Sequence, residues 1–348
     1  VLIRKRASGG EKMAVIGIIA NPASGKDIRR LVAYGAVFDN LEKVNIVRRI
    51  LLSLASIGIE KVVFMPDYYG IVPRAVEGIS EQHRLQMEIV PVDICITGTQ
   101  RDTLQASLAM AKLGVDCIVT LGGDGTNRIA AKGCGSIPIV PVSTGTNNVF
   151  SVMVEGTIAG LAAGVVAQGI VKGLPAVQPS KQFLVYKNDA VVDSALVDVV
   201  VLNDKFIGSR AVWDVDRIVQ AFVTQGEPHN LGISSIAGNL QPVGARENYG
   251  LAVDFGPGGT WVRAPIAPGL IELVQVDAYR RIAVGESVPI RQTPCVIALD
   301  GEREIEVQEK EIVFVQLVFS GPQVVDIRAA LHEAVGKGYS RVPKSEYK

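Results

Sequence analysis

Alternation between two spacings of apolar residues dominates the first half of the chain. Short uninterrupted apolar runs, beginning with Ala14–Ala20, are separated by longer segments whose apolar residues recur every three to four positions. A run rich in Val and Ile is typical of a strand buried on both faces, and Asn21-Pro22 supplies the turn that ends it. The wider spacing predicts amphipathic helices at Asn40–Ile57 and Arg101–Leu113. Strands joined by such helices run parallel, so the pattern predicts an α/β unit whose sheet is covered on both faces.

The same pattern predicts four further strands and the buried faces of the two helices. The strands are Lys61–Met65, Met87–Ile96, Cys117–Leu121 and Ile137–Val142. The predicted buried faces carry Leu41, Val44, Val47, Leu51 and Leu54 in the first helix and Leu104, Leu108 and Ala111 in the second. Gly58 and Gly114 follow the helices and predict their ends.

Helical spacing disappears beyond about residue 180, where short alternating runs separated by turn residues predict a β-rich second unit. Its predicted strands are Phe183–Lys187, Val191–Leu202, Leu251–Phe255, Trp261–Ala264, Ile271–Val276, Cys295–Leu299 and Ile312–Phe319. The tail returns to helix at Asp326–Gly336, with Asp326 as its N-cap. The expected domains are 13–148 for the α/β unit and 149–323 for the β-rich unit, with 324–348 packing back on the first. The basic segment 1–12 precedes the pattern and is expected to be a leader or an artificial extension.

Charge and composition exclude several classes of function. The 348 residues include 35 basic and 35 acidic side chains, so no net charge attracts nucleic acid or an anionic membrane surface. No apolar run approaches the roughly 20 residues of a membrane-spanning helix, and no cleavage pattern follows the basic start. We therefore expect a cytoplasmic protein without nucleic-acid or membrane partners. The four cysteines lack C-x-x-C spacing and the three histidines lack a ligand cluster, so we expect buried free thiols, no metal site and no Ser-His-Asp or Cys-His centre.

Three polar, glycine-containing loops follow strands of the predicted parallel sheet: Asn21–Lys26, Gly122–Thr126 and Ser143–Asn148. Ligands of open α/β sheets bind beyond the carboxyl ends of the strands. The second loop places three glycines around one carboxylate, Asp124, so that backbone N–H groups can approach a phosphate. Hydroxyl and amide groups of the other two loops can donate to phosphate or ribose oxygens. Together the loops predict a nucleotide site.

Two standard nucleotide-binding motifs do not fit these loops. A Walker A motif requires glycine where this chain has Ala20 and Ser or Thr where it has Asp27, which leaves Lys26 as a phosphate contact or a solvated lysine. The dinucleotide fingerprint G-x-G-x-x-G is absent from the first strand-to-helix turn. A plain turn is the weaker interpretation of Gly122–Thr126, because a turn needs one or two glycines, whereas Ser143–Asn148 fits a turn or a site equally well.

Three segments of the second half are candidates for an opposing wall. Asn203-Asp204 follows the apolar run that ends at Leu202, and Asp300-Gly301-Glu302 follows Cys295–Leu299. Each fits a hairpin turn or a site residue pair equally well. Ser234–Gly238 is small and polar, and is predicted to be a loop able to line a cleft.

Gly122–Thr126 resembles the GGDGT motif shared by the NAD kinase, diacylglycerol kinase and sphingosine kinase superfamily. Asn21-Pro22-x-Ser24-Gly25, Gly145-Thr146-x-Asn148 and Leu299-Asp300-Gly301-Glu302 occur in the order of that superfamily. From Val15 onward the chain most resembles its acetoin catabolism protein X (AcoX) branch, which is ATP-NAD kinase-like. The segments that carry this resemblance are 17–22, 27–30, 143–148, 234–238, 264–270 and 298–304.

The resemblance implies an NAD kinase-like fold, in which an α/β nucleotide-binding domain (Rossmann-like parallel sheet) and an all-β C-terminal sandwich domain enclose an active cleft. It also implies ATP- and Mg²⁺-dependent phosphoryl transfer to a hydroxyl of NAD or a related small molecule. Asp124 is expected to accept the hydroxyl proton or to hold Mg²⁺. The implied ATP contacts are Asn21, Gly122, Gly123, Gly125, Thr126, Thr144, Gly145, Thr146, Asn147 and Asn148. The implied acceptor contacts are Asn203, Asp204, Ser235, Asp300 and Glu302.

Departures from the superfamily pattern keep other functions open. Asp204 replaces a Glu of the NAD kinases, and Ser234–Gly238 stands where they carry Thr-Gly-Ser-Thr-Ala-Tyr, so the acceptor is not assigned. Lipid kinases have Asn-Asp in place of Asn147-Asn148 and a different sequence after GGDGT. The alternatives are a catalytically silent nucleotide-binding accessory protein of acetoin catabolism and a lipid or other small-molecule kinase. A homo-oligomer is expected from the relatives.

Overall fold

The computed structural model describes residues 13–25, 34–35, 38–80, 85–145, 147–204, 206–207 and 215–341. The expectations for segments 1–12, 26–30 and 342–348 and for Thr146 lie outside the described residues. No helix within these ranges combines the length and the apolar character needed to cross a membrane.

A mainly parallel sheet forms the first unit. Its described strands are β1 Val15–Ala20, β2 Lys61–Phe64, β3 Glu88–Pro91, β4 Cys117–Gly122, β5 Ile139–Ser143, β6 Val177–Pro179 and β17 Gln323–Val325. Their order is β3-β2-β1-β4-β5-β17-β6, with β6 antiparallel to β17 and all the other neighbouring pairs parallel. The predicted α/β unit with a parallel sheet is therefore confirmed.

Helices cover both faces of this sheet. The described helices of this unit are α1 Asn40–Ser56, α2 Ile71–Glu77, α3 Gln100–Lys112, α4 Asp124–Cys134, α5 Gly156–Ala167 and α7 Ile327–Gly336, whereas α6 Ile233–Leu240 belongs to the second unit. Strand β1 shows the two-sided burial directly, because Ile18 packs among residues of α1 and α5 while Ile19 packs among residues of α3 and α4. Successive side chains of a strand point to opposite faces, which is why its sequence is an uninterrupted apolar run.

The predicted buried face of α3 is wrong. Leu108 is 52% exposed, whereas Ala106, Ser107 and Met110 are buried. Helix α4 approaches α3 so closely that a Cβ added to Gly133 would lie 2.8 Å from the Cβ of Ser107, so small residues face the contact. Leu41 is also misassigned, since it lies in the first turn of α1 and is 61% exposed.

Three of the four cysteines are buried, as expected, but Cys95 is exposed. The predicted strand Met87–Ile96 ends at Pro91, so Cys95 lies in the following loop rather than in the sheet.

Two antiparallel sheets form the second unit. Their described strands are β7 Gln182–Lys187, β8 Ala190–Ala195, β9 Asp198–Leu202, β10 Ile218–Val223, β11 Tyr249–Ala267, β12 Leu270–Ala283, β13 Ser287–Pro289, β14 Cys295–Leu299, β15 Glu302–Val307 and β16 Val313–Val318. The orders are β12-β11-β10-β9-β14-β15 and β13-β16-β7-β8. A core that includes Phe183 and Phe222 lies between them. The predicted β-rich second unit is confirmed, although it is not all-β, because one helix, α6, lies between β10 and β11.

Three local predictions in this unit are wrong. The strands predicted separately at Leu251–Phe255 and Trp261–Ala264 are parts of one strand, β11, whose register against β12 shifts between Phe255 and Thr260. The single strand predicted at Val191–Leu202 is divided into β8 and β9, which belong to different sheets. Ser234–Gly238 is not a loop but lies within α6, whose Ile236 and Ala237 pack against β11. A short helix that carries two serines and a glycine lacks the apolar periodicity from which helices are predicted.

Helix α7 contacts α5, and its Ala330 and Ala334 belong to the core of the first unit. Asp326 caps it, accepting a hydrogen bond from the backbone N–H of Ala329. Because α5 packs on α1 and β6 joins the first sheet, the first unit continues beyond the expected boundary at residue 148. We propose that the boundary lies near residue 180.

Candidate functional site

The GGDGT segment connects β4 directly to α4. Gly122 ends the strand, Gly123 is the N-cap and Asp124 is the first helical residue, so the expected loop is a tight strand-to-helix turn. Gly123 provides no side-chain cap for the helix. The first N–H groups of a helix have no intrahelical acceptor and lie at the positive end of its dipole. The turn therefore presents donors suited to an anion such as phosphate.

The three predicted loops meet at this turn. The Nδ2 of Asn21 donates to the Oγ1 of Thr126 at 2.9 Å. The hydroxyls of Ser24 and Thr144 share a hydrogen bond of 2.8 Å. Asn148 lies against Gly123, where an added Cβ would be 2.8 Å from its Oδ1. The carboxyl ends of β1, β4 and β5 thus form one continuous polar rim, as the sequence predicts.

A buried lysine that sequence reasoning missed organises the first loop. The Nζ of Lys43 in α1 donates to the carbonyl oxygens of Asn21 at 2.9 Å and Ser24 at 2.6 Å, and to the Oδ1 of Asn40 at 3.1 Å. The residue is fully buried, which makes these acceptors necessary for its charge. A lysine in an amphipathic helix carries no sequence signal for this role, because it cannot be told from a surface lysine.

Asp124 is buried and holds the segment that follows β5. Its Oδ1 accepts from the backbone N–H groups of Phe150 and Ser151, each at 3.1 Å, and its Oδ2 accepts from that of Val149 at 2.8 Å. Burial is the main cause that raises the pKa of Asp124 to about 6, and the charge of Asp300 adds to it, while the hydrogen bonds oppose the shift. A carboxylate has about four acceptor sites, so Oδ2 keeps capacity for a further proton donor.

The glycines of the turn serve two purposes. A Cβ at Gly122 would lie 2.5 Å from the side chain of Thr126, and one at Gly123 would meet Asn148, so close packing excludes a side chain at both positions. At Gly125 the nearest atom to an added Cβ is the Oε1 of Glu302, at an ordinary contact distance of 3.5 Å. Packing does not require glycine there, and the absence of a side chain at Gly125 is suited to a close approach of the helix backbone to a ligand.

The turn between β14 and β15 forms the opposite wall. Glu302 faces Gly125 across the gap and accepts a hydrogen bond of 2.6 Å from the Nε2 of Gln100. Asp300 points inward instead, and its fully buried carboxylate accepts from the backbone N–H groups of 196–198. Burial raises the pKa of Asp300, and the nearby Arg128 guanidinium opposes this. The structure brings Glu302 to the cleft and gives Asp300 a structural environment.

The other predicted acceptor contacts have partners inside the second unit. The Oδ1 of Asn203 accepts from Gln292 at 2.8 Å, and Asp204 forms a 2.9 Å ion pair with Arg217. Ser235 is buried in α6 and donates to the carbonyl of Gly232 at 2.6 Å. The roles of these residues as acceptor contacts stay predictions. Within the described ranges, no group of three or more His, Cys, Asp or Glu side chains is arranged to hold a metal ion.

Comparisons with known proteins agree with this architecture. The family model "ATP-NAD kinase N-terminal domain" matches residues 16–170, and "Acetoin catabolism protein X C-terminal domain" matches residues 181–319. Acetoin catabolism protein X of Cupriavidus necator is 39% identical over 330 residues, which cover 92% of each chain.

Two solved structures show a more distant likeness. Yeast NADH kinase complexed with NADH is 14% identical with a TM-score of 0.43, covering 96% of this chain and 90% of that one. A candidate diacylglycerol kinase from Bacillus anthracis str. Sterne is 13% identical with a TM-score of 0.42, covering 91% and 98%. Values this low carry no argument about the activity of this chain. The two family models and the Cupriavidus relative confirm the resemblance seen in the sequence, and the chain belongs to the acetoin catabolism protein X family, with an NAD kinase-like N-terminal domain.

Proposed function

We propose that this protein is a kinase that transfers a phosphoryl group from ATP to a hydroxyl of NAD or a related small molecule. The observation that carries the proposal is the joined rim of three loops around the uncapped N-terminus of α4, with Glu302 facing Gly125 across the cleft. Phosphoryl transfer depends mainly on positioning and charge neutralisation, which such a rim is suited to supply. The ATP-NAD kinase family model over residues 16–170 supports the same reaction class.

In this proposal the phosphates of ATP lie against the first N–H groups of α4 and the hydroxyl and amide groups of the rim. The proposed ATP contacts are Asn21, Gly122, Gly123, Gly125, Thr126, Thr144, Gly145, Asn147 and Asn148. Because Gly125 has no side chain, the backbone of the helix can approach a phosphate oxygen closely. Thr146 keeps its predicted role but lies outside the described residues.

Asp124 is the proposed general base. As the acceptor oxygen bonds to the γ-phosphorus of ATP, the bond from that phosphorus to the bridging oxygen breaks and ADP leaves with the electron pair. The hydroxyl proton passes to the Oδ2 of Asp124, which accepts only the Val149 N–H among the described donors. A pKa of about 6 suits this role, because the carboxylate is ionised at neutral pH yet basic enough to take a proton.

The residues at the cleft fit Mg²⁺ only as an ion that ATP brings with it. Mg²⁺ is commonly held by substrate phosphates, waters and one or two carboxylates rather than by a complete protein cage. The Oε1 of Glu302 faces Gly125 and is the proposed carboxylate contact, whereas the oxygens of Asp124 already accept three backbone N–H groups. Bound there, Mg²⁺ would neutralise charge on the phosphates.

The test is a coupled assay for NADP formation from NAD with ATP and Mg²⁺, run beside Asp124→Asn. Formation of NADP by the wild type alone is the expected result. Calorimetric titration with ATP is run in parallel. ATP binding without turnover on NAD would reject NAD as acceptor and move the search to other hydroxyl compounds. Binding without turnover on any acceptor would favour the accessory-protein alternative, and absence of ATP binding would overturn the proposal. The expected homo-oligomer is tested by analytical ultracentrifugation.

A further inference from the structure

Arg128 is almost completely buried on α4, one helical turn beyond Gly125. Its side chain is 1% exposed, and it lies among three carboxylates of the second unit. The guanidinium contacts Glu304 at 2.9 Å, Asp193 at 3.4 Å and Asp300 at 3.6 Å. A charge buried to this degree requires such partners, because desolvation without them costs several kcal/mol.

These partners come from different strands of the second unit. Asp193 belongs to β8, Glu304 to β15, and Asp300 to the turn that precedes β15. Arg128 therefore ties the helix that begins at the GGDGT turn to both sheets of the opposite unit. Lys132, one turn further along α4, adds a 2.6 Å ion pair with Asp193.

The contact between α4 and β15 has two levels. Residues three apart on a helix share a face, as do residues two apart on a strand. Arg128 with Glu304 forms the deeper level, and Gly125 with Glu302 forms the level at the cleft. Gln100 of α3 spans the two levels, since its Nε2 donates to Glu302 at 2.6 Å and lies 3.4 Å from Glu304. A shift of Glu304 would therefore also shift Glu302.

We infer that Arg128 is a positioning residue, which holds β15 against α4 and thereby sets the width of the cleft between Gly125 and Glu302. Its consequence for turnover rests on the proposed phosphoryl transfer, but the positioning itself does not. The guanidinium is suited to this role because its planar fork can serve several carboxylates at once, which a lysine ammonium does less well.

The test measures the distance between the two units directly. One spin label is placed on the natural exposed Cys95 of the first unit and the other on the second unit through Glu309→Cys, since the remaining cysteines are buried. Electron–electron double resonance is then recorded on the doubly labelled full chain, with and without Arg128→Met. Glu304→Gln is the milder second variant, and Arg128→Lys tests conservative rescue. Lys61→Met is the control, because it removes an ion pair with Glu88 inside the first unit.

We expect a single narrow distance distribution for the labelled reference chain and for Lys61→Met, and a displaced or broadened one for Arg128→Met and Glu304→Gln. Arg128→Lys should lie between them. Unchanged distributions in folded Arg128→Met, or in Glu304→Gln if the first variant does not fold, would overturn the inference.

Turnover supplies an independent readout. Without the labels, kcat of Glu304→Gln should fall about 10- to 100-fold and the Kd for Mg²⁺-ATP should rise, since small misplacements of reacting groups cost this much and Glu302 is the proposed Mg²⁺ contact. The Kd for ATP measured without Mg²⁺ should change little, and an equal loss of affinity without Mg²⁺ would indicate general damage and count against positioning. If the wild type itself shows no turnover, the proposed function fails, and the distance measurement still decides the role of Arg128.

Discussion

The Nδ2 of Asn21 donates a 2.9 Å hydrogen bond to the Oγ1 of Thr126, although 105 residues separate the two. This bond joins the turn after β1 to the first turn of α4. Strands β1 and β4 are neighbours in the parallel sheet, so their carboxyl ends meet at one edge. The hydrogen bond therefore couples the two loops, so that a change at Thr126 should affect both.

Thr126→Val should weaken ATP binding by several-fold and lower the free energy of unfolding by about 1 kcal/mol. The change keeps the shape of the side chain but removes the acceptor of Asn21, and an intramolecular hydrogen bond contributes about that much. Chemical denaturation and calorimetric titration measure the two effects. Thr260→Val, at an exposed position on β11, is the control and should leave both values unchanged. Equal effects of the two variants would contradict the prediction.

Gly125→Ala should separate ligand binding from folding. The added Cβ meets only Glu302 at 3.5 Å, and alanine is favoured over glycine in a helix, so stability should stay constant or rise by up to about 1 kcal/mol. Affinity for ATP should fall about 10-fold or more, equivalent to about 1.4 kcal/mol, because the methyl group occupies the space proposed for phosphate. Gly336→Ala on α7 adds a methyl group with no neighbour within 4 Å and should leave ATP affinity unchanged. Retained affinity in Gly125→Ala would reject a phosphate contact at this position.

The ionisation of Asp124 should control both activity and stability. Its folded-state pKa is raised to about 6, so kcat/KM should rise with pH through about 6 as the proposed base loses its proton. The contribution of Asp124 to folding stability depends on pH in the opposite direction. The folded state binds the proton more tightly than the unfolded state, so the contribution of Asp124 is complete below about pH 4 and is lost as pH rises through about 6.

Asp124→Asn is the reference variant for the stability measurement, because asparagine does not titrate. The stability of the wild type relative to this variant should decrease between about pH 4 and 6, by at most about 1.4 kcal/mol per pH unit. Denaturant unfolding at a series of pH values measures this difference. A difference that increases with pH over that range would contradict the raised pKa.

Lys43→Met should destabilise the loop after β1, because the loop loses the buried side chain that donates to its carbonyl oxygens. It leaves the carbonyl oxygens of Asn21 and Ser24 without their buried donor, which is expected to cost about 1–3 kcal/mol of folding stability. Faster amide hydrogen exchange at residues 21–25 and weaker ATP binding should accompany the loss. Lys112→Met, at the exposed end of α3, is the matched control. If both variants exchange like the wild type, Lys43 does not organise the loop.

Asp300→Asn should reduce folding stability, whereas Glu302→Gln should change ligand binding, although the two residues are only two positions apart. The Asp300 carboxylate is buried against Arg128 and three backbone N–H groups, so its loss should reduce folding stability by several kcal/mol. Glu302 lies at the cleft, so its replacement should change Mg²⁺-ATP binding with little effect on unfolding. Thermal unfolding and titration of both variants measure the contrast. A stable Asp300→Asn with impaired binding would return Asp300 to the set of direct ligand contacts.

The sequence by itself determined that an α/β unit precedes a β-rich unit, that the strands of the first run parallel, and at which edge of the sheet its loops gather. These follow from local periodicity, because a strand buried on both faces needs an uninterrupted apolar run and a covering helix needs an apolar stripe. The glycines around Asp124 likewise mark a close approach of backbone segments, whatever lies against them. Periodicity was misleading for Leu108, since α3 presents small residues to α4 rather than its leucines.

Only the tertiary structure decided which polar groups are buried and what they hold. Lys43, Arg128 and Asp300 resemble ordinary surface or turn residues along the chain, yet each is buried by packing in the folded protein, Arg128 and Asp300 against each other across the two units. Asp124 is marked by the sequence as a site residue, but only the structure shows that its carboxylate is buried and accepts hydrogen bonds from the backbone of 149–151. Burial of a charge depends on partners that converge only in the folded protein, within the first unit for Lys43 and Asp124 and across both units for Arg128 and Asp300, and no local pattern records them.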